Sequence, residues 1–164
     1  MSKAVLSLGA NLGDRLRTLR EALAGIGPAL VRASSTYETP PWGDTDQPAY
    51  ANAVAIVDDP AVDAHGWLTL AQRLENSAGR VRDPDRRFGP RTLDVDVIAV
   101  WSDGVPVVQD DPALILPHPR AHLRAFVLVP WLEIDPAAEL PGHGPVSGLL
   151  DGLADDIAGI HKLA

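Results

Sequence analysis

Arg80-Val81-Arg82-Asp83-Pro84-Asp85-Arg86-Arg87-Phe88-Gly89-Pro90-Arg91-Thr92-Leu93-Asp94-Val95-Asp96-Val97-Ile98 decides how the rest of this chain is read. Five of the twelve arginines fall within it, and a Gly-Pro turn then leads into an alternating segment. From Leu93 to Trp101 the pattern is that of a half-buried strand, with Leu93, Val95 and Val97 facing one way and Asp94 and Asp96 the other. Two residues apart on a strand is roughly 6.5 Å, close enough for both carboxylates to serve one divalent cation or to bracket a pair. Magnesium is held by one or two carboxylates, water and phosphate oxygens. The planar guanidinium fork suits those same phosphate oxygens. An Asp-x-Asp alone is often only a solvent face; beside five arginines it points to a metal-dependent triphosphate site.

Working outward, the segments on either side complete an α+β pattern. Ala4–Leu8 reads as a strand ended at Gly9-Ala10-Asn11, and Asp14 or Asn11 can cap a helix to about Gly25 with Leu16, Leu19, Leu23 and Ile26 inward. Leu30–Tyr37 and Tyr50–Val57 read as further strands around a Pro/Gly/Asp-rich loop over residues 39–48. Asp63 can cap a second helix to about Ala78, with Ala64, Trp67, Leu68, Ala71 and Leu74 as its core stripe. Asp103-Gly104 starts a hairpin, and a helix is expected through Val127 to Ile134. The order is β-α-β-β-α-β, a ferredoxin-like antiparallel sheet with both helices on one face and C-terminal hairpin and helix additions.

Composition narrows the function classes. At 164 residues one domain over 1–164 is expected. A net charge of −8 argues against nucleic acid or anionic membrane as partner, so concentrated arginine suggests a small polyanion. No apolar run has the length of a membrane span and no export signal is visible, so the cytoplasm is the default expectation. Without cysteine, any metal must take carboxylate, histidine or backbone ligands.

Other constellations are weaker. Gln72 and Glu75 lie at i, i+3 off the apolar stripe, facing solvent or a nucleotide. Tyr50 and Asn52 share a strand face, where a ring and an amide suit a flat heterocycle. Gly9 allows close backbone approach, or is simply part of a turn. His118 stands between two prolines as a turn residue that could donate to a phosphate oxygen.

Taken together, these residues resemble the 6-hydroxymethyl-7,8-dihydropterin pyrophosphokinase family. Its signature looks like Arg87–Ile98, and further matches are Leu8–Gly13, Tyr37–Gly43, Gln47–Asn52, Gln72–Glu75, Gly79–Arg82 and Leu116–Arg120, spanning roughly residues 4 to 135. The resemblance implies a folate-biosynthesis enzyme that transfers the β,γ-diphosphate of ATP to the pterin hydroxymethyl group and releases AMP. It implies two Mg²⁺ ions on Asp94 and Asp96, with Arg80, Arg82 and Arg91 on the triphosphate. Gln72, Glu75, Ile98, His118 and Arg124 would border ATP. Tyr50 and Phe126 would sandwich the pterin, read at its edge by Asn52, Gly9 and Thr39, Pro40, Pro41 and Trp42. The arginine loop is one residue longer than the commonest form, Phe88 replaces a frequent tryptophan, and Pro119 replaces an aromatic of some members. Loops 43–48 and 83–90 are expected to close over the reactants. Expected partners are the two small-molecule substrates, with no nucleic acid or membrane, and a monomer is the expected state. The alternative is a non-catalytic ferredoxin-like module that binds nucleotide or RNA on sheet aromatics.

Overall fold

The computed structural model describes residues 1–41, 46–79 and 92–163. In chain order its elements are β1 (Ser2–Ala10), α1 (Arg15–Ile26), β2 (Leu30–Ala33), β3 (Tyr37–Thr39), β4 (Tyr50–Asp58), α2 (Ala64–Ser77) and β5 (Asp94–Ser102). There follow β6 (Val105–Pro106), β7 (Gln109–Asp111), β8 (Leu114–Leu116), α3 (Ala125–Ile134), β9 (Glu139–Leu140) and β10 (Gly144–Pro145). The chain closes with α4 (Val146–Leu150), α5 (Ala154–Ala158) and β11 (His161–Lys162).

The main sheet is antiparallel in the order β11-β3-β4-β1-β5-β6, with β2 also on β4. The expected βαββαβ core is present, and β5 lies beside β1 as the topology requires. Both helices begin as their sequences dictate. Asp14 accepts from the Arg17 amide at 3.1 Å and Asp63 from the Gly66 amide at 2.7 Å, each satisfying an amide that the first helical turn leaves open. On β1, Ala4, Leu6, Leu8 and Ala10 pack under Leu19, Ala22 and Ile26 of α1 and Trp67, Ala71 and Leu74 of α2. Each such Leu, taken fully out of water, contributes about 1.5–3 kcal/mol. Leu16, expected on this face, is instead 41% exposed, and Ala22 takes the inward position.

The opposite face of the sheet positions the site. Val5, Val54, Ile56 and Ile98 are covered there by Val127, Leu128 and Trp131 of α3, together with Leu140 and Val146. The C-terminal additions therefore build a second core layer. Past the N-terminal end of α3 the same face turns small and polar, with Ser7 and Gly9 on β1, Tyr50 and Asn52 on β4, and Asp94 and Asp96 on β5. That change along a single sheet face leaves a concavity instead of a core.

The expected strand Leu30–Tyr37 is divided into β2 and β3, both paired to β4. Ser34 causes the break while keeping the edge satisfied. Its amide donates to the Val54 carbonyl and its hydroxyl accepts from the Val54 amide, both at 2.9 Å. At Asp103 and Gly104 φ is +50° and +81°, as the predicted tight turn between β5 and β6 demands.

Candidate active site

Strand register assembles the floor of the concavity. Gly9 lies opposite Asn52 on one side and opposite Asp94 on the other, and Ser7 likewise lies between Val54 and Asp96. With strands about 4.8 Å apart, the amide and the carboxylates flank a central strip bearing only a glycine and a serine. A Cβ on Gly9 would come within 2.5 Å of Asn52 Oδ1 and 3.3 Å of Tyr50 Cδ1, so glycine is needed there by close approach. Thr39, Pro40, Arg124 and Phe126 supply the walls.

The walls are held by identifiable bonds. Asn52 Nδ2 donates to the Thr39 hydroxyl, which fixes which end of the amide faces the cavity. Asn11 is almost fully buried and donates from Nδ2 to Gln47 Oε1 at 2.8 Å and to the Pro48 carbonyl at 3.1 Å. Arg15 donates to the Ala49 carbonyl at 2.9 Å, so two side chains from the β1–α1 region tie down the segment that enters β4. Arg15 and Ser7 were not singled out from the sequence, and Asn11 was read only as a helix-cap candidate, a role that Asp14 fills. The signal for Ser7 was the two-residue period Val5, Ser7, Gly9 in an otherwise apolar strand.

Charge is distributed asymmetrically. Asp94 and Asp96 are half-buried on the cavity face, while Val95 and Val97 are buried beneath the opposite helices. Arg124, 6% exposed, donates to Asp96 Oδ2 at 3.4 Å and lies 5.5 Å from the centre of the Phe126 ring. His118 is docked beside β5 by its amide, which donates to the Ile98 carbonyl at 2.8 Å. Burial, aided by the Arg124 and Arg120 charges, pushes its imidazole down to about 4, while Asp94 opposes the shift. The Arg120 amide donates to His118 Nδ1 at 3.1 Å, so in the neutral ring Nε2 carries the proton and is the donor.

Not every expected residue joins this cavity. Pro41 lies in an adjoining recess with Phe126 and Ile160. Ile98 is fully buried beneath α3 and does not line the cavity. Gln72 is exposed in a shallow cleft along α2 with Thr69, Arg73, Asn76 and Ser77, apart from the aspartates. Glu75 was expected off the apolar stripe; it is 5% exposed, and its Oε2 accepts from the Val95 amide at 3.0 Å. The outer edge of β5 explains this placement. Among the described residues β6 pairs only with Trp101 and Ser102, so a carboxylate from α2 takes the place of a strand where β5 begins. Trp42, Arg80, Arg82, Arg91, loop 83–90 and the first half of loop 43–48 lie outside the described residues.

The donor set fits magnesium. Asp94 and Asp96 offer two hard carboxylate ligands on one strand face, at a cavity open to phosphate oxygens. The arrangement combines two carboxylates on one strand face, a buried arginine, a nearby neutral histidine and an aromatic-lined slot with an amide at its edge.

Comparison with known proteins gives this arrangement a family. The 7,8-dihydro-6-hydroxymethylpterin-pyrophosphokinase model matches residues 5–136. The chain belongs to this family. It is similar to the 2-amino-4-hydroxy-6-hydroxymethyldihydropteridine pyrophosphokinase of Mycobacterium tuberculosis H37Rv, 49% identical over 158 residues that cover 92% of this chain and 83% of the relative. The relative of the same name from Mycobacterium leprae is 52% identical over 150 residues, covering 88% and 78% of the two chains. That from Haemophilus influenzae is 38% identical over 159 residues, covering 94% and 95%. Among solved structures, an HPPK-DHPS in complex with substrates superposes with a TM-score of 0.71 at 10% identity, over 99% of this chain and 46% of that one. A Plasmodium falciparum HPPK-DHPS with pterin and p-hydroxybenzoate gives 0.70 at 11% identity, over 98% and 47%. This chain thus spans about half the length of those two-part proteins, and the likeness to them bears on the fold. No helix among the described residues is long and apolar enough to cross a membrane.

Proposed function

We infer that this pyrophosphokinase transfers the β,γ-diphosphate of ATP to the hydroxymethyl oxygen of 6-hydroxymethyl-7,8-dihydropterin, in the synthesis of folate. The observation that carries the reading is the row Asn52–Gly9–Asp94. The Asn52 amide and the Asp94 carboxylate lie on opposite sides of one bare strand position, in a cavity walled by Phe126 and Arg124, which suits reading a heterocycle edge on one side and holding a cation on the other. The pterin would lie between Tyr50 and Phe126, with Asn52, Gly9 and the Thr39–Trp42 segment at its heteroatom edge. Its hydroxymethyl group then projects toward Asp94 and Asp96.

Phosphoryl transfer depends mainly on alignment and charge neutralisation, and both can be assigned to side chains. The hydroxymethyl oxygen forms a bond to the β-phosphorus as the bond to the α,β-bridging oxygen breaks. AMP keeps that oxygen, and the hydroxyl proton passes to water. Asp94 and Asp96 would hold two Mg²⁺ ions, which when bound supply Lewis-acid polarisation of the phosphoryl oxygens. Arg124 offers a fixed positive charge beside Asp96, and neutral His118 offers an N–H donor without adding charge. Arg80, Arg82 and Arg91 would meet the triphosphate by resemblance, with exposed Gln72 bordering the nucleotide, whereas Glu75 and Ile98, both buried, would act from beneath the site.

We take residues 1–164 as one pyrophosphokinase domain that acts as a cytoplasmic monomer. The binding-module alternative has no observation in its favour, since a carboxylate pair on the sheet face repels a nucleic-acid backbone. Asp96→Ala tests the reading. Turnover should fall to background, and Asp96→Asn, which keeps an acceptor for Arg124, should do the same with the melting temperature close to that of the parent. Near-normal turnover with magnesium present would remove Asp96 from the site.

A further inference from the structure

The C-terminal segment touches the wall that the pterin reading assigns to substrate. β11 pairs with β3, with His161 opposite Glu38 and Lys162 opposite Tyr37, and the Leu163 amide donates to the Thr36 carbonyl at 2.8 Å. Lys162 Nζ lies 3.6 Å from Glu133, which accepts from Tyr37 Oη at 2.7 Å and from the Ser35 amide at 3.0 Å. The segment is thereby tied to β3 and α3 along its length. β3 runs directly into Thr39 and Pro40.

Gly159 is where this segment meets the wall. A Cβ built there would lie 3.2 Å from Pro40 Cγ and 3.4 Å from Cδ, a contact that one side must relieve by a few tenths of an ångström. Backbone bonds hold the C-terminal segment, and the Pro40 ring stands between the recess lined by Asp156 and Ile160, which flank Gly159, and the open substrate cavity. An added methyl therefore pushes the ring into the volume that the pterin would fill. Gly159 has φ −88° and ψ −1°, a conformation any residue adopts, so backbone conformation does not require glycine at this position. The family match ends at residue 136 and leaves this segment unassigned.

We propose that Gly159 is a positioning residue for the pterin: the Cβ-less contact with Pro40 sets how wide the heterocycle slot stands. The proposal rests on the pterin reading of the cavity. Enzymes lose on the order of 100-fold for a misplacement of about 1 Å, so a few tenths should cost several-fold.

The test is a steady-state comparison of Gly159→Ala and Gly159→Val with the parent, together with Asn52→Ala. The pterin KM should rise about 3–10-fold in the alanine variant and further with valine, with the ATP KM and the melting temperature unchanged. In a Pro40→Ala background the Gly159→Ala penalty should vanish, because the ring it strikes is gone. If Asn52→Ala weakens pterin binding while both position-159 variants stay within about twofold of the parent, the positioning role is wrong and the cavity reading stands. A penalty that persists without the Pro40 ring also overturns it. If Asn52→Ala leaves pterin binding intact, the cavity reading itself fails and the inference falls with it.

Discussion

Glu75→Ala should unfold the enzyme more easily and loosen the aspartate pair, even though Glu75 does not line the cavity. Its carboxylate is buried, and Oε2 accepts from the Val95 amide between Asp94 and Asp96 at 3.0 Å. Val95 is itself 5% exposed, so water cannot replace the lost acceptor without opening the α2–β5 contact. A buried donor left unpaired costs about 1–3 kcal/mol. For a chain of this size about 2 kcal/mol lowers the melting temperature by roughly 4–8 °C. Glu75→Gln keeps an acceptor oxygen and should recover most of that loss, which separates the hydrogen bond from side-chain volume. Thermal unfolding followed by circular dichroism gives the stability. Calorimetric titration of magnesium with a non-hydrolysable ATP analogue should show weaker binding in the alanine variant, because the strand bearing both aspartates has lost its edge support. An alanine variant that melts within about 1 °C of the parent would refute the reasoning.

Two further outcomes follow from the electrostatics. Tyr37 is pushed up to about 12, chiefly by burial and then by its hydrogen bond to Glu133. Its folded value exceeds the unfolded one, so its contribution to stability is complete below about pH 10 and is lost as pH rises toward 12. Tyr37→Phe should flatten the stability profile in that window while lowering stability near neutrality by about 1–2 kcal/mol, as denaturant titration at several pH values would read. An unchanged profile would contradict the assignment. His118 is shifted the other way, so its ring should stay neutral down to about pH 5 in the ligand-free protein, with the proton on Nε2. Nitrogen-detected NMR would show the tautomer, and a titration midpoint near 6.5 would disprove the burial argument.

The elements legible in the sequence were those fixed by local chemistry. Asp14 and Asp63 marked helix starts because a carboxylate there can satisfy exposed amides. The alternation from Leu93 sorted the valines from the aspartates because a strand's side-chain period is two. Tyr50 and Asn52 were found to share the cavity for the same reason. What the sequence hid depended on partners far along the chain. Glu75 reads as a polar residue on an amphipathic helix, and its burial goes with a bond to the Val95 amide, twenty residues later. The Arg124–Asp96 pair joins residues twenty-eight apart, and neither side chain announces the other. Ser34 divides a strand that propensity would have continued, since its hydroxyl replaces a ladder acceptor. The end of the C-terminal segment holds two short helices and a two-residue strand, too brief for any periodicity to register.

The fate of the β-phosphorus tests the central claim most directly. Phosphorus NMR of a single turnover, with enzyme in excess over ATP, dihydropterin and magnesium present, should show AMP and the pterin diphosphate appearing in equal amounts. Neither should form when the pterin is withheld. Formation of ADP, or AMP released with free pyrophosphate at the same rate without pterin, would contradict the account.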